Sequence, residues 1–163
     1  FAGGCFWCME PPFEKLKGVH EVFSGYTGGE LESPSYKEVS SGATNHVEAI
    51  FIKFDPTVIT YEQLLQVFWR QINPTDDGGQ FIDRGHQYTT GIYYHNDHQK
   101  QLAEDSKKRL EVLFEDWQPK PSLILKKKKK NMLDVRFLKI KRKELEAKGL
   151  IMVETKMEKK QWK

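Results

Sequence analysis

Two cysteines, Cys5 and Cys8, follow directly on a Gly3-Gly4 pair, and they are the only cysteines in the 163 residues. A thiol acts as a nucleophile when it is a thiolate, and the unpaired N–H groups and dipole at a helix start favour that negative charge. The glycine pair lets the chain turn sharply, which would deliver the Cys5 sulfur to such a start and leave a substrate room to approach. Phe6 and Trp7 would stand beside it as an apolar wall. Cys8 lies one helical turn further along the same face, within disulfide reach if the first turn permits. The pattern therefore predicts Cys5 as an activated thiol and Cys8 as the candidate second thiol.

The same spacing admits other uses. Cys5 and Cys8 would serve equally as small buried hydrophobes, with Phe6 and Trp7 as core. A metal centre would need both cysteines and two histidines, yet His20, His46, His86, His95 and His98 show no matched ligand spacing, and no metal is expected. A general disulfide oxidoreductase built on Cys5-x-x-Cys8 would want a thioredoxin-like βαβ context, which Glu48 and the Gly-rich stretch 73–87 fit poorly. Cysteines this close cannot staple a small secreted domain, so a reducing, cytoplasmic compartment is expected. No apolar run reaches membrane-spanning length. The chain opens at Phe1, already inside the motif, which suggests that residues precede it.

Composition and pattern supply the elements that must hold these groups. The chain is 38% hydrophobic and 12% aromatic, which supports a folded core. Its net charge of +3 conceals an asymmetry: residues 1–119 carry 10 Lys+Arg and 18 Asp+Glu, residues 120–163 carry 16 and 5. A catalytic domain over 1–119 and a basic tail over 120–163 are expected, with the lysines from Lys126 to Lys130 read as a solvated or disordered run. Without interleaved aromatics, such a run gives at best sequence-independent nucleic-acid binding, so no specific nucleic acid is expected.

Phe1 to Gly4 reads as a strand end running into a turn, then a helix from Cys5 to about Gly18, in which Pro11 and Pro12 suit only a first turn. Val19–Tyr26 and Thr89–Tyr94 read as strands, and Tyr36–Val39 as a short helical turn. His46–Phe54 alternates, with Glu48, Ile50 and Ile52 on one face. Thr60 caps a helix to Gln71, residues 73–87 form a long polar loop, and His98–Phe114 is an amphipathic helix.

Gly3-Gly4-Cys5-Phe6-Trp7-Cys8-x-Glu10 and Gly25-Tyr26-Thr27-Gly28-Gly29 resemble the opening of the A-type peptide-methionine sulfoxide reductases. So do Tyr36-Lys37-Glu38-Val39, His46-Val47-Glu48-Ala49 and Asp83-Arg84-Gly85-His86-Gln87-Tyr88, in the family's order and spacing over residues 1 to about 115. The resemblance implies an α+β two-layer sandwich, ferredoxin-like, with helices packed on a mixed sheet. It also implies reduction of the S epimer of methionine sulfoxide, free or in proteins, without metal or organic cofactor. Cys5 matches the nucleophile and Glu48 the acid that protonates the sulfoxide oxygen. Tyr36 and Tyr88 match the tyrosines that bind that oxygen, and Asp83 an aspartate that orders the site. Phe6 and Trp7 match the pocket for the ε-methyl group.

Two departures qualify the match. Many members resolve the sulfenic acid with a C-terminal cysteine, and this chain has none there, leaving Cys8 or an outside dithiol such as thioredoxin. The family's Tyr-His-Gln block after the last helix is missing too, since residues 116–163 contain neither tyrosine nor histidine. A monomeric, thioredoxin-dependent reductase with a divergent tail is the expectation; a catalytically impaired member is the alternative.

Overall fold

The computed structural model describes residues 1–113 and the strand Ile124–Lys127. The chain order is β1 (Ala2–Gly3), α1 (Phe6–Glu14), β2 (Val19–Thr27), α2 (Tyr36–Ser40), β3 (Val47–Phe54), α3 (Tyr61–Trp69), β4 (Gly79–Gln80), β5 (Asp83–Arg84), β6 (Thr90–Tyr94), α4 (Asp97–Leu113) and β7 (Ile124–Lys127). β2 and β3 form an antiparallel pair in which Tyr26 faces Glu48. β1 runs antiparallel to β6, and β7 lies parallel to β6 on its other side. A backbone hydrogen bond from Ile50 N–H to the Phe1 carbonyl, 2.7 Å long, joins the two groups of strands. Helices packed on mixed sheet strands make this the α+β architecture expected.

The core explains why these segments hold. Phe6, Met9 and Phe13 on α1, Leu64, Leu65 and Phe68 on α3, Ile50 on β3 and Ile92 on β6 are all buried in one cluster. Their helical spacings put one apolar stripe of each helix into that cluster. Burying a side chain of this size stabilises the fold by about 1.5–3 kcal/mol. Ser35 and Thr60 open α2 and α3 with complete capping boxes, paired to Glu38 and Gln63. Trp69 donates its indole N–H to Ser106 Oγ, tying α3 to α4.

Three local expectations change. Pro11 and Pro12 lie in the second turn of α1, not the first. Proline has no N–H to donate to the carbonyl four residues back, and the burial of Phe6, Met9 and Phe13 keeps the short helix in place despite that. The loop 73–87 contains the β4–β5 hairpin and a 3₁₀ turn at His86–Tyr88. Lys126 and Lys127, expected in the solvated run, lie in β7. The rest of the tail from 120 onward lies outside the described residues, as does Phe114 at the end of the expected last helix.

Gly4 shapes the turn into α1. Its φ is +85°, and a Cβ there would meet the Cβ of Gln80 at 2.8 Å. A Gly4→Ala variant is expected to lose at least about 1–2 kcal/mol of stability from the left-handed backbone alone. Urea unfolding checks this through a lower midpoint at unchanged slope.

Candidate active site

The site begins where α1 meets β3. Cys5 is the N-cap of α1, and its carbonyl accepts from Cys8 N–H at 3.0 Å and Met9 N–H at 3.2 Å. The next N–H, on Phe6, has no partner within its own helix, as is usual in a first turn. It donates instead to Glu48 Oε2 at 3.0 Å. On the same helix, Glu10 Oε1 accepts from the Ser24 hydroxyl at 2.5 Å, so α1 is anchored to β3 at one end and to β2 further along. Both contacts are buried.

Glu48 is 2% exposed, on the β3 face it shares with Ile50. Burial drives its carboxyl pKa up to about 8; the Phe6 N–H pulls it down, and Cys5 and Asp83 add to the rise. At neutral pH the group is mainly a neutral acid. Because an N–H donates to an oxygen without a proton, Oε1 is assigned the acid proton.

Around this carboxyl stand the other expected groups. Tyr36, Tyr88, Asp83 and Cys5 interact electrostatically with one another or with Glu48. Burial first, then Glu48, raises Tyr36 and pushes Tyr88 up to about 12, so both are neutral phenols. Trp7 is half-buried and stacks on Tyr36, ring centres 5.8 Å apart and planes within 11°. Phe6 is buried behind it, packed between Trp7 at 5.4 Å and Tyr26 at 5.6 Å. All eight expected site residues thus lie in or beside one cluster. It is drawn from the N-terminus of α1, from α2, β3 and β5, and from the 3₁₀ turn.

Cys5 departs from expectation. Its thiol is raised, not lowered: the neighbouring Cys8 thiol is the main cause and burial the next, against the opposing N–H groups of Cys8 and Trp7. Cys5 is half-buried and Cys8 exposed, and no disulfide joins them. The resting site is therefore a neutral thiol beside a neutral acid. Among the described residues, no three His, Cys, Asp or Glu side chains converge as a metal site would require.

Two residues were not singled out from sequence. Gln80, 1% exposed, accepts from Asn73 N–H at 2.6 Å and donates to the Asn73 carbonyl at 2.9 Å, bracing the loop that delivers Asp83. Arg84 closes the same loop with paired bonds to Asp76 at 2.6 and 2.9 Å. The other is Tyr26, buried directly across from Glu48. Pairing the expected strand ends would set Tyr26 against His46; the observed register is offset by two residues and sets it against Glu48.

Comparison with known proteins follows this geometry. A family model described as peptide methionine sulfoxide reductase matches residues 1–129. The peptide methionine sulfoxide reductase MsrA of Bacillus licheniformis is 60% identical over 110 residues, covering 68% of this chain and 61% of that protein. The MsrA of Listeria monocytogenes is 57% identical over 112 residues, covering 69% and 63%. The chain thus spans roughly three-fifths of the length of the curated relatives it matches. The crystal structure of Mxr1 from Saccharomyces cerevisiae in reduced form aligns with a TM-score of 0.70 at 29% identity, covering 78% of this chain and 74% of that one. The methionine sulfoxide reductase A of Corynebacterium diphtheriae shares the fold, with a TM-score of 0.71 at 23% identity over 94% and 76%.

Glu48 gives a stability test. Its folded pKa lies above its unfolded value, so its contribution is fully present below about pH 4.5 and is lost as pH rises through about 8. Wild type is therefore expected to lose Tm relative to Glu48→Gln between pH 5 and pH 9, as measured by calorimetry across that range.

Proposed function

This chain belongs to the peptide methionine sulfoxide reductase family, and from that premise we propose that it reduces the S epimer of methionine sulfoxide to methionine through Cys5. The observation that supports this reading best is the buried Glu48 carboxyl, held to the amide that follows Cys5. A sulfoxide oxygen is a poor leaving group until it is protonated, and a carboxyl with a pKa of about 8 can deliver that proton at neutral pH.

The chemistry follows from charge. A sulfoxide carries a positive sulfur and a negative oxygen. With the oxygen on Glu48, Tyr36 and Tyr88, the sulfur end faces Cys5 and favours the thiolate that the resting site disfavours. The Cys5 sulfur bonds to the sulfoxide sulfur while Glu48 gives its proton to the oxygen. The S–O and the new S–S bonds then break as the protonated oxygen passes to the Cys5 sulfur and an electron pair stays on the substrate sulfur, leaving the thioether and a sulfenic acid. The proton shed by the Cys5 thiol balances the one Glu48 regains. Neutral phenols suit this role, since a polar S=O gains from donors and loses nothing to repulsion. Trp7, with Phe6 packed behind it, provides the apolar wall for the methyl group, and Asp83 orders the cluster.

Recycling falls to Cys8. Its thiol lies against Cys5, so attack on the sulfenic acid releases water and forms a Cys5–Cys8 disulfide. A dithiol reductant of the thioredoxin type then exchanges with that disulfide, and the exposure of Cys8 suits this approach. Every group of the cluster comes from one chain, which suits action as a monomer on oxidised proteins or free methionine sulfoxide. The sparse, closely spaced cysteines suit a reducing compartment such as the cytoplasm.

Separated epimers of a methionine sulfoxide peptide test the reading. Only the S epimer should turn over, and Cys5→Ser should abolish the reaction, because a hydroxyl is a far weaker nucleophile at neutral pH. Cys8→Ser should release one methionine per enzyme, then accumulate sulfenic acid by mass spectrometry and recycle slowly. Turnover retained by Cys5→Ser would exclude the assignment. A Cys8→Ser variant that recycles as fast as wild type would assign resolution to an outside thiol.

A further inference from the structure

We infer that Tyr26 is a positioning residue for this reaction, its hydroxyl donating to the Glu48 carboxylate at the moment the acid proton leaves. The inference rests on the proposed reductase reading. Tyr26 is 2% exposed, and it sits directly across β2–β3 from Glu48, so the two side chains project from the same face. Its ring is held by Phe6, whose own N–H already binds Glu48 Oε2.

The hydroxyl is the informative atom. It is buried and has no hydrogen-bond partner among the described residues. Buried hydroxyls are rarely left so, and an exception calls for a functional reason. The groups it senses electrostatically are Glu48, then Tyr36 and Tyr88, the three groups proposed to receive the sulfoxide oxygen. Burial keeps it a neutral O–H donor at any physiological pH.

What it would do follows from the proton balance. At rest Oε2 is engaged by Phe6 N–H and Oε1 carries the proton, so no charge needs stabilising. When the proton passes to the sulfoxide oxygen, Oε1 becomes half of a buried carboxylate with a single donor on its partner oxygen. At rest the hydroxyl bonds no acceptor among the described residues, so the bond to Oε1 forms by a side-chain shift as the charge develops there. A donor that acts only after proton transfer stabilises the transition state more than the ground state.

A plainer use of the same hydroxyl exists. The Tyr26 ring also walls a cavity of about 310 Å³ with His46 and the loop 29–34, and His46 Nδ1 likewise has no partner among the described residues. A hydroxyl that merely faced this cavity would contribute nothing to the acid.

Tyr26→Phe separates the two. Removing an unpartnered buried hydroxyl should leave Tm unchanged or raise it. The expected result is single-turnover methionine release slowed tenfold to a hundredfold, with KM for a sulfoxide peptide little changed. The alkaline limb of the rate profile should move to higher pH, because Glu48 loses a donor to its charged form. The other groups that face Glu48, namely Cys5, Tyr36, Asp83 and Tyr88, stay in place. Adding Tyr26→Phe to Glu48→Gln should cost nothing further, since both act on one proton. Should Tyr26→Phe fold poorly, 3-fluorotyrosine at position 26 keeps the shape and donates more strongly; it should move the limb to lower pH. An unchanged rate and limb in Tyr26→Phe, an additive double variant, or an unmoved limb with fluorotyrosine would overturn the inference. Wild-type protein that releases no methionine would overturn the reductase reading instead.

Discussion

The contact between the Phe6 N–H and the Glu48 carboxyl holds the site together. It satisfies one of the orphan donors at the start of α1, so the helix needs no side-chain cap of its own. It gives a buried carboxyl its one backbone donor, without which that group would be an uncompensated polar atom in the core. It also fixes the Cys5 sulfur relative to the acid, because Cys5 and Phe6 are adjacent and β3 is anchored at Ile50 in the sheet. Stability and chemistry therefore share one hydrogen bond.

Given that bond, the remaining architecture is a means of keeping charge out. The aromatic layer of Phe6, Trp7, Tyr26 and Tyr36 lowers the local polarity around Glu48. Low polarity is the main reason the Glu48 carboxyl and the phenols are raised, and at the Cys5 thiol it adds to the larger effect of Cys8. A neutral thiol beside a neutral acid is silent at rest. Its first charge separation has to be induced by a polar guest, and a sulfoxide, with opposite charges on adjacent atoms, is well matched to a thiol on one side and an acid on the other.

Much of this was legible in the sequence. Alternation in His46–Phe54 put Glu48 on the face of Ile50, although from Val47 to Ile50 both faces of the strand are buried. Thr60 read as a cap from its residue type ahead of the helical pattern, and the structure adds the glutamine that completes its capping box. The Cys5 turn was legible because glycines there have few other uses. What stayed hidden depends on contacts between segments distant in the chain. The brace made by Gln80 needs the carbonyl of Asn73 to arrive from another part of the loop, and polar residues in a run look alike until they meet. The sign of the Cys5 shift was missed because a helix start lowers a thiol's pKa only if nothing stronger opposes it; here Cys8 and burial do. Pro11 and Pro12 in a second turn run against local preference, and only the buried stripe of α1 explains their tolerance.

The central claim is that Glu48 is a neutral acid at physiological pH. Infrared difference spectroscopy against Glu48→Gln, in buffers from pH 4 to pH 10, observes the protonated carboxyl stretch of that one group. The expected result is a band present at pH 7 that titrates away near pH 8. A carboxyl already ionised at pH 7, with its transition at the ordinary value near 4.5, would contradict it.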